Sequence, residues 1–306
     1  ELGLTDFNWR GRRYTLGAIY RYYERNSFIL FGKMPYFNNS KFGLDFDISL
    51  LSRTDPAYFD HETVYYDTDF YKASGHLMYS FRFNHFLFFG GGYVNENYNK
   101  TNPGLDTQGP ESFHVNKVQL QVGHYIEDID YTYNLLSGFS NKITLEKVVS
   151  IGKNYPFHKI LNEFRFFHRI GEEGNFAFRN IIGVSTHSES PFAVFVIDNY
   201  LNIRGAGDRV ERGTAQWIVN AEYRHNLYTL KNSRIQGLVF SDNGALRMPG
   251  GKTNELVKAN HMYHYYGLGL RYYNHKVYNL TLRLDYGLNL RNINENGFVL
   301  GINQYF

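Results

Sequence analysis

The 306-residue sequence has no cysteine, only 7 prolines and 2 tryptophans, and no marked excess of either charge: 32 Lys plus Arg against 29 Asp plus Glu leave +3. Without cysteine a disulfide scaffold is excluded; the absence fits an oxidising compartment managed by avoidance but does not identify one. A balance this even, with a pI near 8.7, gives no basic footprint for nucleic acid. Long apolar runs are missing as well. The most apolar stretches, residues 86–94 and 192–197, are at most half of the roughly 18 residues that a membrane-spanning helix needs. No secretion signal precedes Glu1, so the sequence reads as a mature chain or a fragment.

What is abundant is aromatic: 27 Tyr and 26 Phe, in a chain whose mean hydropathy is −0.44. Enough aromatic surface to offset chain entropy excludes a disordered chain. Its arrangement is strict alternation. In residues 41–49, Phe42, Leu44, Phe46 and Ile48 alternate with Gly43, Asp45, Asp47 and Ser49. In 278–290 one face is Tyr278, Leu280, Leu282, Leu284, Tyr286, Leu288 and Leu290, and the other is Asn279, Thr281, Arg283, Asp285, Gly287 and Asn289. A period of two predicts strands with one apolar and one polar face.

Two all-β architectures use this pattern. A soluble sandwich turns the apolar face inward; a transmembrane antiparallel β-barrel turns it to lipid and keeps the polar face around its lumen. Three features favour the barrel. The segments run to about 10–13 residues, enough for a tilted membrane crossing and beyond the usual globular strand of about 5–6. Aromatics crowd the strand ends (Tyr20, Tyr22, Tyr23; Tyr263, Tyr265, Tyr266; Tyr272, Tyr273), as in interfacial girdles. The polar face carries Arg165, Arg179, Glu222, Asp242, Arg271 and Arg283, unsuited to a sandwich core.

Alternation predicts strands at 1–8, 12–24, 26–35, 41–53, 62–82, 84–98, 113–126, 138–150, 158–170, 174–187, 214–226, 233–246, 261–273, 277–290 and 297–306. Short connections (Phe83, 171–174, 274–276) alternate with long ones (99–112, 188–213, 247–260) rich in Gly, Pro, Asn and Asp. That is the pattern of short periplasmic turns and long outer loops, with the C-terminus periplasmic. No turn is legible within Glu127–Asn141. About 15 strands are an odd count where an even one, of the roughly 16-stranded type, is expected, so the first strand is expected upstream of Glu1.

Three further segments narrow the class. The longest loop reads N-I-R-G-A-G-D-R-V-E-R-G at 202–213, with Ile203, Arg204, Gly205 and Gly207 at its tip. The following strand carries A-E-Y-R, with Glu222 on the polar face beside Asn220 and Arg224 and opposite Trp217, Val219 and Tyr223. The next carries V-F-S-D-N-G, with Phe240, Asp242 and Gly244 on one face. A guanidinium suits such a pair of acids because its planar fork donates several charge-assisted hydrogen bonds.

Together these segments resemble the outer-membrane assembly barrel superfamily, the bacterial surface-antigen barrels that include BamA-like and TamA-like insertases and two-partner-secretion translocators. The resemblance rests on a (V/I)-R-G-(F/Y) loop tip, matched here by Ile203, Arg204 and Gly205 but departing at Ala206, and on an F-x-D-x-G strand, matched by Phe240, Asp242 and Gly244. It extends to G-F-V-L-G-I-N-Q-Y-F at 297–306, like the family's last strand, and to Asn8-Trp9-Arg10-Gly11, like the turn after its second strand. It implies a sixth outer loop folded into the lumen, with Arg204 meeting Glu222 and Asp242. It also implies that Phe298, Leu300, Ile302, Tyr305 and Phe306 form a C-terminal assembly signal and one side of a weak lateral seam.

The implied protein is a single outer-membrane domain over residues 1–306, with any POTRA modules upstream. It inserts or exports β-rich clients without bond chemistry, by offering an unsatisfied strand edge. Its implied partners are outer-membrane lipid and lipopolysaccharide, client outer-membrane or secreted proteins, and periplasmic or lipoprotein accessories; no cofactor, metal or nucleic acid is expected. Three alternatives stand beside it: a barrel that anchors a fused domain, a passive diffusion porin, and a lipid-modifying enzyme. Around His187, Ser188 and Ser190 neighbouring side chains on a strand point to opposite sides, against a catalytic set. His261 and His264 have a spacing that aligns metal ligands on helices and not on strands.

Overall fold

A computed structural model describes residues 2–23, 25–59, 62–101, 109–132, 134–151, 156–187, 193–197, 202–206, 211–258, 262–274, 276, 280–292, 294–302 and 304–306. Its strands are β1 (Leu2–Trp9), β2 (Tyr14–Tyr23), β3 (Arg25–Met34), β4 (Phe42–Phe59), β5 (Glu62–Arg82), β6 (His85–Lys100), β7 (Ser112–Thr132), β8 (Leu135–Ile151), β9 (Phe157–Ile170), β10 (Gly174–Ser185), β11 (Phe195–Ile197), β12 (Glu211–Gly213), β13 (Ala215–Leu230), β14 (Ser233–Arg247), β15 (Tyr263–Asn274), β16 (Leu280–Asn289) and β17 (Asn296–Ile302). Two 3-10 turns, Phe37–Asn39 and Thr253–Val257, are the helical pieces among the described residues. None is long and apolar enough to cross a membrane.

One sheet of 15 strands runs in chain order from β1 to β10 and on through β13 to β17, while β11 and β12 form a small hairpin of their own. The strands expected from alternation correspond one for one with those of the sheet. Two differences are informative. The turn that was not legible within Glu127–Asn141 falls between Thr132 and Leu135, so β7 runs past Ile126, where the sequence reading ended it. The last strand, expected over 297–306, stops at Ile302.

The chain divides into two compact units. In the first (Glu1–Ile126, Lys142–Ile160 and Ser185–Phe192) consecutive strands pair in register, for example Leu44 with Leu77 and Leu77 with Phe89. Those three side chains are exposed on one face of the sheet. On the other face a polar chain links neighbouring strands. Asp45 and Gln121 flank His76 at 2.6 and 2.7 Å, Gln121 Nε2 donates to Glu146 Oε2 at 2.7 Å, and Lys159 Nζ lies 3.0 Å from the same oxygen. His76 reaches across β6 because residue 90 is glycine. A Cβ there would lie 2.7 Å from the His76 ring and 2.1 Å from the Gly75 carbonyl oxygen.

The second unit (Glu127–Asn141, Leu161–Val184 and Ala193–Phe306) shows the inversion most sharply. Leu268 is 65% exposed and Leu300 72%, while Asn220, Arg224, Gln236, Asp242 and Asp285 are 0%. A water-soluble sheet protein would show the reverse, and so broad an apolar exterior needs a non-aqueous neighbour.

Candidate functional site

The loop between β10 and β13 packs along the polar face through an apolar patch of its own. Phe195, Ile197, Ile203 and Ala206 cluster with Ile181 of β10, Ile218 of β13, Leu246 of β14 and Tyr265 of β15. Two glycines fit the loop tip to the sheet. A Cβ at Gly244 would sit 2.5 Å from Ile203 Cδ1, so the glycine of the F-x-D-x-G segment makes the seat for Ile203. Gly205 has φ +89, the left-handed region that favours glycine, and a Cβ on it would lie 2.7 Å from the backbone of Gly287 in β16. Asn202 fastens the tip from both sides: its Nδ2 donates to Val196 O at 2.6 Å, and its carbonyl accepts from Asn220 Nδ2 at 2.8 Å.

This seating brings Arg204, 0% exposed, against the two expected acids. Its Nε and Nη2 donate to Asp242 Oδ2 and Oδ1 at 2.8 and 2.9 Å, and its backbone N–H donates to Oδ2 at 3.0 Å. Nη1 donates to Glu222 Oε2 at 2.7 Å. The register explains the convergence: β13 and β14 pair Glu222 with Phe240 and Asn220 with Asp242, so both acids and the ring share one face of adjacent strands. The guanidinium carbon lies 3.7 Å from the Phe240 ring centroid, a cation–π contact in a desolvated site. Phe240 itself has room because residue 267 opposite it is glycine, where a Cβ would lie 2.3 Å from the ring.

The surroundings form a connected network of charge. Asn220 Nδ2 donates to Asp242 Oδ1 at 2.8 Å and its Oδ1 accepts from Arg179 Nε at 2.9 Å. Glu222 also pairs with Arg224. Asp285 takes a bidentate pair from Arg271 at 2.7 and 3.0 Å and lies 3.9 Å from Arg204 Nη1. Such burial is tolerable because every charge has a partner of the opposite sign or an aromatic face.

Ile203, Arg204, Gly205, Glu222, Phe240, Asp242 and Gly244 thus come together; Gly207 lies outside the described residues. Sequence reasoning missed the Arg271–Asp285 pair and the part of Gly287. Alternation put Arg271 and Asp285 on the polar face, but only the β15–β16 register, Arg271 opposite Arg283 and Gly269 opposite Asp285, brings the two side chains together. The small residue Ala206, where the resemblance expects an aromatic, sits in the apolar cluster.

The C-terminal group divides. Phe298, Leu300 and Ile302 are exposed on the apolar face, and Tyr305, which alternation puts on the polar face, is buried; Phe306, which alternation puts with the exposed three, is buried too, packed with Tyr305, Phe167 and Ala177. Phe306 therefore does not continue the outward face of Phe298, Leu300 and Ile302. Its ring lies 5.0 Å from the Arg179 guanidinium carbon, a contact that an extended continuation of β17 would forgo, and the Tyr305 ring lies 5.2 Å from the same carbon. Of the other candidates, Ser188, Ser190 and His261 lie outside the described residues. His187 packs edge-on to Phe157 at 4.9 Å, and His264 Nδ1 lies 2.7 Å from Asn243 Oδ1.

No family model matches the chain. No curated protein matches it by sequence. Among solved structures it is similar to BamA from Haemophilus ducreyi lacking POTRA domains 1–3, with TM-score 0.66 and 15% identity over 97% of this chain and 65% of that one. It is also similar to CdiB from Escherichia coli (TM-score 0.66, 12% identity, 98% of this chain and 56% of that one) and to CdiB from Acinetobacter baumannii (0.65, 14%, 97% and 55%). The chain has the BamA-like outer-membrane β-barrel fold, the fold its motifs resemble. It spans 65% or less of the length of these neighbours.

Proposed function

We propose that residues 1–306 form the membrane domain of an outer-membrane protein assembly or translocation barrel, inserting or exporting β-rich clients without bond chemistry. The observation that carries this reading is the docking of Arg204 of the longest loop onto Glu222 and Asp242 of the barrel wall. A diffusion pore does not require a loop held at its tip by a fully buried arginine. The likeness to BamA and CdiB supports the same class. In this reading the apolar face meets outer-membrane lipid and lipopolysaccharide, the turns after β1, β5, β9 and β13 are periplasmic together with residue 306, and clients and accessory lipoproteins are the protein partners.

The physical handle is the end of the sheet. β17 covers only Asn296–Ile302 and pairs with β16 over seven residues. A short strand holds its neighbours through few hydrogen bonds. In hydrocarbon its unpaired N–H and C=O groups are costly, so an opened edge is a template for an incoming strand. The test is a folding assay. Liposomes carrying the purified full-length protein are given a urea-denatured outer-membrane barrel, and its folding is followed by heat-modifiable gel migration. Folding faster than in empty liposomes is expected, with the gain lost in Arg204→Ala. No acceleration, together with steady conductance in planar bilayers, would replace this reading with a diffusion porin.

A further inference from the structure

The three residues 304–306 lie beyond the end of β17 and enter the network that holds the loop. The four arginines of that network, and Arg283 beside them, touch these residues. Arg271 Nε donates to Gln304 Oε1 at 3.3 Å. The Tyr305 ring lies 4.3 Å from the guanidinium carbon of Arg204, 4.9 Å from that of Arg283 and 5.2 Å from that of Arg179. The Phe306 ring lies 5.0 Å from Arg179 and 5.6 Å from Arg224, and Arg224 Nη2 donates to the Phe306 carbonyl at 3.1 Å. Gln304 Nε2 also donates to the Tyr273 hydroxyl.

Arg204 is the shared member. Its edge is taken by Asp242 and Glu222, which leaves its faces to rings, and two rings take them: Phe240 of β14 and Tyr305. Phe240 belongs to the wall and stays when the loop leaves. Tyr305 belongs to a segment that continues β17, and without Arg204 it loses its nearest cation. Conversely, with residues 304–306 withdrawn, one face of a buried guanidinium is bare.

We propose that the loop tip and residues 304–306 form one cooperative lock with Arg204 as its common part, so that withdrawing either loosens the other. The continuation of β17 is held inward more firmly while the loop is seated, and loop release loosens three residues beside the strand at the end of the sheet. Coupling between two binding events is reciprocal. The inference concerns this geometry alone and stands whether or not the barrel assembles clients.

The chain has no cysteine, so single-cysteine reporters are clean. The full-length protein, folded in lipid nanodiscs, carries Ala206→Cys as loop reporter or Gln304→Cys as tail reporter, and its rate of labelling by a water-soluble maleimide is measured. Tyr305→Ala should speed labelling of the loop reporter by roughly 5–150-fold, and Arg204→Lys should speed the tail reporter in the same range. Tyr305→Phe, which keeps the ring, should leave the loop reporter at its original rate. A loop reporter whose rate is unchanged by Tyr305→Ala, or one that Tyr305→Phe speeds as much, overturns the proposal. Heat-modifiable migration verifies that each variant is folded; if Tyr305→Ala is not, Tyr305→Leu is read in its place by the same criteria.

Discussion

Arg204→Ala removes a side chain that donates three hydrogen bonds to two fully buried carboxylates, and the two acids do not suffer equally. Glu222 keeps its pairing with Arg224. Asp242 loses two of its four donors, keeping the Arg204 backbone N–H at 3.0 Å and Asn220 Nδ2 at 2.8 Å, and is left without its cation. Breaking a buried pair by removing one partner costs about 3–5 kcal/mol, and the surviving partners place this case at about 3 kcal/mol. Part of the cost is relieved by letting the loop come away and water reach Asp242. The loss therefore appears first as protease cleavage between β10 and β13, and then as a lower urea midpoint in micelles, read by heat-modifiable migration. The decisive form is a double-mutant cycle with Asp242→Asn, which removes the orphaned charge. The double variant should be more stable than the sum of the single losses predicts, by on the order of 1–3 kcal/mol. Strict additivity would mean that the ion pair contributes nothing to loop seating, and the site as described would fall.

Three other outcomes follow from the same geometry. Leu268→Arg on the apolar face should cost about 2–4 kcal/mol in bilayers, as measured by urea titration in liposomes, whereas on a water-facing surface it would be near neutral. Gly287→Ala puts a Cβ 2.4 Å from the Arg204 carbonyl oxygen and should unseat the loop tip without touching any charge; protection of the loop from protease equal to that of the parent would count against the backbone contact. Gly90→Ala should break the bond between His76 and Gln121 and lower the urea midpoint while leaving loop protection intact, because both residues belong to the other unit.

Much of the fold was legible because a sheet with one lipid face writes its period into every strand: Leu280 to Leu288 alternate with Thr281 to Asn289 whatever the neighbours are. The meeting of Arg204 with Glu222 and Asp242 was implied by the resemblance of the loop tip and the F-x-D-x-G strand to a known family, while alternation by itself put the two acids on neighbouring polar faces. Where the period fails, so does the reading. The turn before Leu135 has no glycine or proline signal. Asn134 is fixed instead by distant partners, donating to Asn226 Oδ1 at 2.5 Å and accepting from Arg234 Nη1 at 2.6 Å. The β11–β12 hairpin pairs only three residues on each strand, too few to carry a pattern. Residues 304–306 read as strand because Phe306 keeps the alternation of Phe298, Leu300 and Ile302, yet the arginine faces inside hold the Phe306 ring, and tertiary contact overrides the local pattern.

The glycine seats have a consequence for how the barrel is put together. The loop tip rests on Gly287, Ile203 on Gly244, and Phe240 over Gly267, each a position with no side chain on β16, β14 and β15. Sliding β16 by a single residue would present Tyr286 or Leu288 where the tip needs bare backbone, and the loop could not go home. The lock therefore proofreads the alignment of three neighbouring strands, and only a correctly threaded wall can be fastened shut.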